Sequence, residues 1–148
     1  MTTVQFYHLT STPLERALPK LLEKCLAGGF TAQVVVREAQ LDMLNELLWT
    51  YDPNSFLPHG SSKDGHVEQQ PVLLTTHVEP QNLANVLFVT DGSTPQGSER
   101  FERILDVFDG SDPEQVAAAR SRWSLYKNAG HPVTYMKQTE SGWEQKAA

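Results

Sequence analysis

Val4-Gln5-Phe6-Tyr7-His8-Leu9, Thr12-Pro13-Leu14-Glu15 and Thr31-Ala32-Gln33-Val34-Val35-Val36 decide the fold. The first reads as a strand. The second is a helix start, with Thr12 as N-cap, Pro13 at the first helical position and Glu15 at the capping-box position. Leu14, Leu18, Leu21, Leu22 and Cys25 then keep a helical spacing until Gly28-Gly29 stops the helix after Ala27. Pro19 falls inside this run, where a proline removes a ladder hydrogen bond, so a kink or a later true start is expected. The third segment is β-branched and too short for a helix, so it is a second, buried strand. Glu38 to Trp49 returns to helical spacing, with Leu41, Leu44, Leu47 and Leu48 on the inner side. Strand, helix, strand, helix implies right-handed parallel crossovers.

Beyond these segments, Pro71–Thr75 and Asn85–Thr90 resume the strand pattern. Asp91-Gly92-Ser93-Thr94-Pro95 turns the chain into a helix predicted from about Gly97 to Phe108, with Phe101, Ile104, Leu105 and Phe108 at helical spacing. Asp112-Pro113-Glu114-Gln115 opens a last helix that ends at Gly130. Pro132–Gln138 and Gly142–Gln145 form a closing strand and a short final piece. The 148 residues fit one α/β domain, a three-layer sandwich whose mostly parallel sheet is flanked by helices. Residues 60–70 are expected to be a mobile loop and 146–148 a frayed tail.

Composition narrows the function classes. A net charge of −6 argues against a broad footprint on nucleic acid. The single cysteine, Cys25, has no disulfide or CxxC partner and reads as a small core residue in a reduced, cytoplasmic setting. Met1-Thr2-Thr3-Val4 lacks the features of a signal peptide, and no apolar run approaches a membrane span.

The search for chemistry is negative. After Leu9 the chain reads Thr10-Ser11-Thr12-Pro13, without the glycines of a phosphate loop, and no GxxxxGK[ST] occurs anywhere. The expectation is therefore a nucleotide-binding-like topology without a phosphate loop and without a cofactor. His59, His66 and His77, with Asp52 and Asp64, match no zinc spacing and read as solvated loop residues, so no metal is expected. Cys25 is helical and apolar, no serine sits in a GxSxG elbow, and Glu99 and Glu102 read as a solvated helix face. No catalytic constellation emerges.

Two segments read instead as binding surfaces. Leu48-Trp49-Thr50-Tyr51-Asp52-Pro53-Asn54-Ser55-Phe56-Leu57-Pro58-His59-Gly60 crowds aromatics and prolines into a loop, presenting anchors on a stiff segment that loses little entropy on docking. Taken alone, Trp49 at a helix end fits the core better than an interface. Val116, Arg120, Trp123 and Lys127 are spaced by four, three and four residues and fall on one helical stripe. Such a stripe suits a short acidic peptide with an apolar end. Equally, Trp123 and Tyr126 fit a core role, with Arg120, Arg122 and Lys127 solvated.

Taken together these residues resemble the chi subunit family of the bacterial DNA polymerase III holoenzyme. The resemblance is carried by Phe6-Tyr7, Leu48-Trp49 with Ser55-Phe56-Leu57-Pro58-His59, Gln70-Pro71-Val72, and Arg120 with Trp123, Tyr126 and Gly130. It implies a non-catalytic replication adaptor of the clamp loader. One surface would bind the psi subunit through Trp49, Phe56, Leu57 and Pro58. Another, with Val116, Arg120, Trp123 and Lys127, would bind the acidic, Phe-ended C-terminal tail of single-stranded DNA-binding protein. Some members carry a valine and lysines where this chain has Asp109, Val116 and Ser124, so Arg120, Arg122 and Lys127 would carry more of the tail contact. The alternatives are a small α/β metal- or nucleotide-dependent enzyme using the His59/His66 loop, or an adaptor for a repair helicase.

Overall fold

Strand β1 (Thr3–Leu9) sends its side chains alternately into two apolar layers, the consequence of a period of two. Val4 and Phe6 point into one layer, with Phe101, Ile104, Ala119 and Tyr126. Leu9, joined by half-buried Tyr7, belongs to the other, with Leu18, Leu22, Leu41 and Leu44. The computed structural model describes residues 2–10, 12–50, 59–61, 71–76, 84–92, 101–139 and 142–146, with Trp49, Thr50, Ser61, Gly142 and Lys146 described by backbone alone.

After β1 come α1 (Leu14–Ala27), β2 (Ala32–Val35), α2 (Glu38–Thr50), β3 (Gly60–Ser61), β4 (Val72–Thr75), β5 (Val86–Val89), β6 (Arg103–Asp109), α3 (Pro113–Asn128), β7 (Val133–Thr139) and β8 (Gly142–Lys146). Among the described residues the strands form one eight-stranded sheet in the order β3-β4-β2-β5-β6-β1-β7-β8. Every pairing is parallel except that of β7 with β8. Helices α1 and α2 cover one face and α3 the other, giving the expected three-layer α/β sandwich. All residues of β2, β4 and β5 are buried, as parallel strands covered on both faces must be.

The sequence places most elements well. α1 ends at Gly28-Gly29, where Gly29 adopts φ 85°, a conformation that glycine reaches without a Cβ penalty. Its start differs from expectation. Pro13, not Thr12, is the N-cap residue, no side chain caps it, and the Pro13 carbonyl accepts from the Arg16 and Ala17 amides. The helix runs from Leu14 through buried Pro19, so no later start is needed.

The larger correction concerns residues 97–108. No helix stands at Arg103–Phe108: these residues form β6, paired with β5 and β1, and residues 97–100 lie outside the described residues. A strand buried on both faces has no polar side, so its apolar spacing imitates a helix. Glu102 accordingly lies at the entry to β6, where its amide donates to the Asn85 carbonyl at 2.8 Å, and Glu99 is outside the described residues. Asp112 caps α3 as predicted, its side chain accepting from the Glu114 amide at 3.0 Å behind Pro113 at the first turn. β8 reaches Lys146, opposite Tyr135 and one residue into the stretch expected to fray; residues 147–148 are outside the described residues.

Candidate partner-binding surfaces

Helix α3 has a thin apolar side. Ala119 and Tyr126 are buried against the sheet, Val116 and Trp123 are half-buried beside them, and Arg120 and Lys127 are exposed. The Trp123 ring stacks at a tilt on Phe6 with centroids 5.5 Å apart, and meets Tyr135 edge-on at 6.0 Å. The Lys127 ammonium stands 5.8 Å from the centre of the Trp123 ring. Trp123 therefore anchors the helix with one side and offers the other to solvent between two cations. The structure brings Val116, Arg120, Trp123 and Lys127 onto one stripe.

Arg122 is a correction. Expected in solvent as a contributor to the same surface, it is 6% exposed and bound to Asp106 through Nε at 2.5 Å and Nη2 at 2.9 Å. Its Nη1 also donates to the Gly92 carbonyl at 3.4 Å. The charge is consumed inside the fold, because β6 buries an aspartate that needs a cation.

The surface includes residues that the sequence reading passed over. Tyr135 and Lys137 of β7 lie on the α3 side of the sheet, and His8 of β1 joins them through a hydrogen bond between its Nδ1 and the Tyr135 hydroxyl. Burial, then the charges of Lys137 and Arg120, hold the His8 imidazole below the usual histidine range, with Asp109 acting the other way. Burial raises the Tyr135 phenol, opposed by Arg120. The period of two along Val133, Tyr135 and Lys137 is the sequence signal for this shared face, once β7 is known to sit beside β1.

The loop surface is described only at its ends. Trp49 lies in the last turn of α2, which packs over β3 and β4; Phe56, Leu57 and Pro58 lie outside the described residues. His59 was expected in solvent, yet it is 5% exposed and its Nε2 lies 2.9 Å from the Asn45 carbonyl of α2. His66, His77, Asp52 and Asp64 lie outside the described residues, among which no group of three metal-ligating side chains gathers. Cys25 is half-buried, and desolvation pushes its thiol up to about 11.

A cleft does open over the carboxyl ends of β1, β5 and β6, the place where open α/β sheets receive ligands. Its lobes, about 260 and 380 Å³, share Arg37, Thr90, Val107, Phe108 and Gln115. Beyond β1, however, the amides of Thr10 and Thr12 donate to Gln138 Oε1 at 3.1 and 3.2 Å. A side chain thus occupies the donors that a phosphate loop would present.

The family model described as "DNA polymerase III chi subunit, HolC" matches residues 1–134. The chain belongs to the DNA polymerase III chi subunit family. It is similar to the probable DNA polymerase III subunit chi of Rickettsia prowazekii, 33% identical over 90 residues, which are 60% of this chain and 54% of that relative. It is also similar to DNA polymerase III subunit chi of Pseudomonas aeruginosa, 26% identical over 137 residues, covering 90% of this chain and 94% of the other. Family membership makes it a DNA replication accessory protein; the relatives are named as subunits of DNA polymerase III. Among the described residues no helix is long and apolar enough to cross a membrane.

Proposed function

We propose that this chi-family protein is a non-catalytic, cytoplasmic adaptor with two partner surfaces. α3 takes the acidic, Phe-ended tail of single-stranded DNA-binding protein, and the α2 end with the loop after it takes the psi subunit of the clamp loader. The observation that carries the reading is the exposed Arg120 and Lys127 flanking a half-buried Trp123 on a chain whose net charge is −6. A local basic and aromatic surface on an acidic protein selects an acidic peptide without attracting nucleic acid at large. Arg120 pairs a carboxylate, and Val116 with Trp123 forms the apolar wall. For psi, Trp49, Phe56, Leu57 and Pro58 supply the anchors.

Each contact can be weak. Holding two partners turns the second association into an intramolecular one, so avidity is gained while both ends stay exchangeable. The test is fluorescence anisotropy with an acidic, Phe-terminated peptide, comparing wild type with Arg120→Ala at low and moderate salt. Salt-sensitive binding that weakens about tenfold in a folded Arg120→Ala is expected; absence of binding by the wild type overturns the reading.

A further inference from the structure

β7 runs parallel to β1 in a register that sets Phe6 opposite Tyr135 and His8 opposite Lys137. Val133 and Tyr135 pack into the α3-side layer, and Lys137, two residues on, shares that face. Tyr135 is the centre of the ledge between helix and strand. Its ring lies 6.0 Å from Trp123, 6.3 Å from Phe108 and 5.7 Å from His8. Arg120 reaches the ledge from α3 and Lys137 from β7, both exposed, and the charges of both act on His8.

Among the described residues neither Arg120 nor Lys137 closes an ion pair within 4.0 Å, although β8 sets Glu144 across from Lys137. The nearest acid that acts on His8, Asp109, has its carboxylate turned back to the Ser111 amide at 2.9 Å and hydroxyl at 2.6 Å. Two cations converging on one aromatic surface repel each other, and a bound anion relieves that repulsion.

We propose that Arg120 and Lys137 together seat one carboxylate of the acidic peptide over the Tyr135–Trp123 ledge, so that β7 supplies a binding residue to the α3 site. This rests on the reading of α3 given above and adds to it a cation from a different element.

The experiment is a double-mutant cycle, measured by anisotropy with the acidic, Phe-terminated peptide at low salt, over wild type, Lys137→Gln, Arg120→Ala and the double variant. Lys137 is exposed, so Lys137→Gln should melt with the wild type. Lys137→Gln is expected to weaken binding about two- to fivefold, the range of an exposed charge contact. If both cations hold the same carboxylate, the double variant loses distinctly less than the product of the single losses. A second readout is the His8 ring, whose proton affinity, followed by NMR, should rise when the peptide's carboxylate arrives. Binding insensitive to Lys137→Gln but lost in Arg120→Ala overturns this proposal and leaves the α3 reading intact, as do losses that multiply. A wild type that does not bind overturns both.

Discussion

Arg122 of α3 and Asp106 of β6 form a two-bond ion pair in the layer between helix and sheet, with 7% and 1% of their side chains exposed. Removing one partner of a buried pair strands the other charge, at a cost of about 3–5 kcal/mol. Arg122→Ala should therefore lower the urea midpoint markedly, whereas Arg122→Met combined with Asp106→Leu should recover much of it. A loss in Arg122→Ala below about 0.5 kcal/mol, the level of ordinary surface changes, would show that the pair is solvated.

Tyr126 presents the opposite case. It is 4% exposed, and among the described residues its hydroxyl has no hydrogen-bond partner. Such a group carries its desolvation cost uncompensated, on the order of 1 kcal/mol. Tyr126→Phe should leave stability unchanged or raise it by about that amount, as read from equilibrium denaturation. A clear destabilisation would reveal a partner for the hydroxyl.

Gly110 closes the β6–α3 turn against β1. A Cβ at this position would stand 1.9 Å from His8 Nε2 and 2.6 Å from the Leu9 carbonyl oxygen, and the second of these is backbone. Gly110→Ala must therefore shift the turn as well as the ring, a cost of about 1–3 kcal/mol by analogy with overpacking. It should also displace His8 from Tyr135, visible as a changed His8 ring resonance. An alanine variant with wild-type stability and spectrum would contradict the packing described.

His8 should titrate below its ordinary value of about 6.5. The folded protein then binds that proton less readily than the unfolded chain does. Stability carried by neutral His8 is thus present above about pH 6.5 and is lost as pH falls through the unfolded value toward the folded one. Denaturation midpoints at successive pH values, compared with His8→Gln, should show a slope in that window that the variant lacks. Lys137→Gln, removing a charge that disfavours the imidazolium, should move the NMR midpoint of His8 upward.

The strands and helices up to Trp49 are legible because each element has punctuation of its own: Gly28-Gly29 after α1, the β-branched run of β2, the leucine spacing of α2. β6 was misread because strand burial on both faces erases alternation, and nothing local distinguishes Phe101, Ile104, Leu105 and Phe108 from a helix face. The fate of Arg122 was hidden for a related reason. Its partner Asp106 sits in that misread strand, and only the pairing of β6 beneath α3 brings the two together. His59 likewise reads as a polar loop residue until the Asn45 carbonyl, 14 positions earlier in α2, is placed against it. Arg120, Trp123 and Lys127 were legible because a single helix carries them, whereas Lys137 required the sheet order.

The order of the sheet also sets a distance. α2 lies over the β3–β4 edge and α3 over β6 and β7, on the opposite face. From β4 to β7 there are five strand spacings, about 24 Å at roughly 4.8 Å each. On the proposed reading, the α2 end and the α3 ledge therefore do not overlap, and a short peptide on one leaves the other open. A single peptide carrying both recognition elements could bridge them only with a spacer of more than about seven fully extended residues, and one shorter than that would have to choose a side.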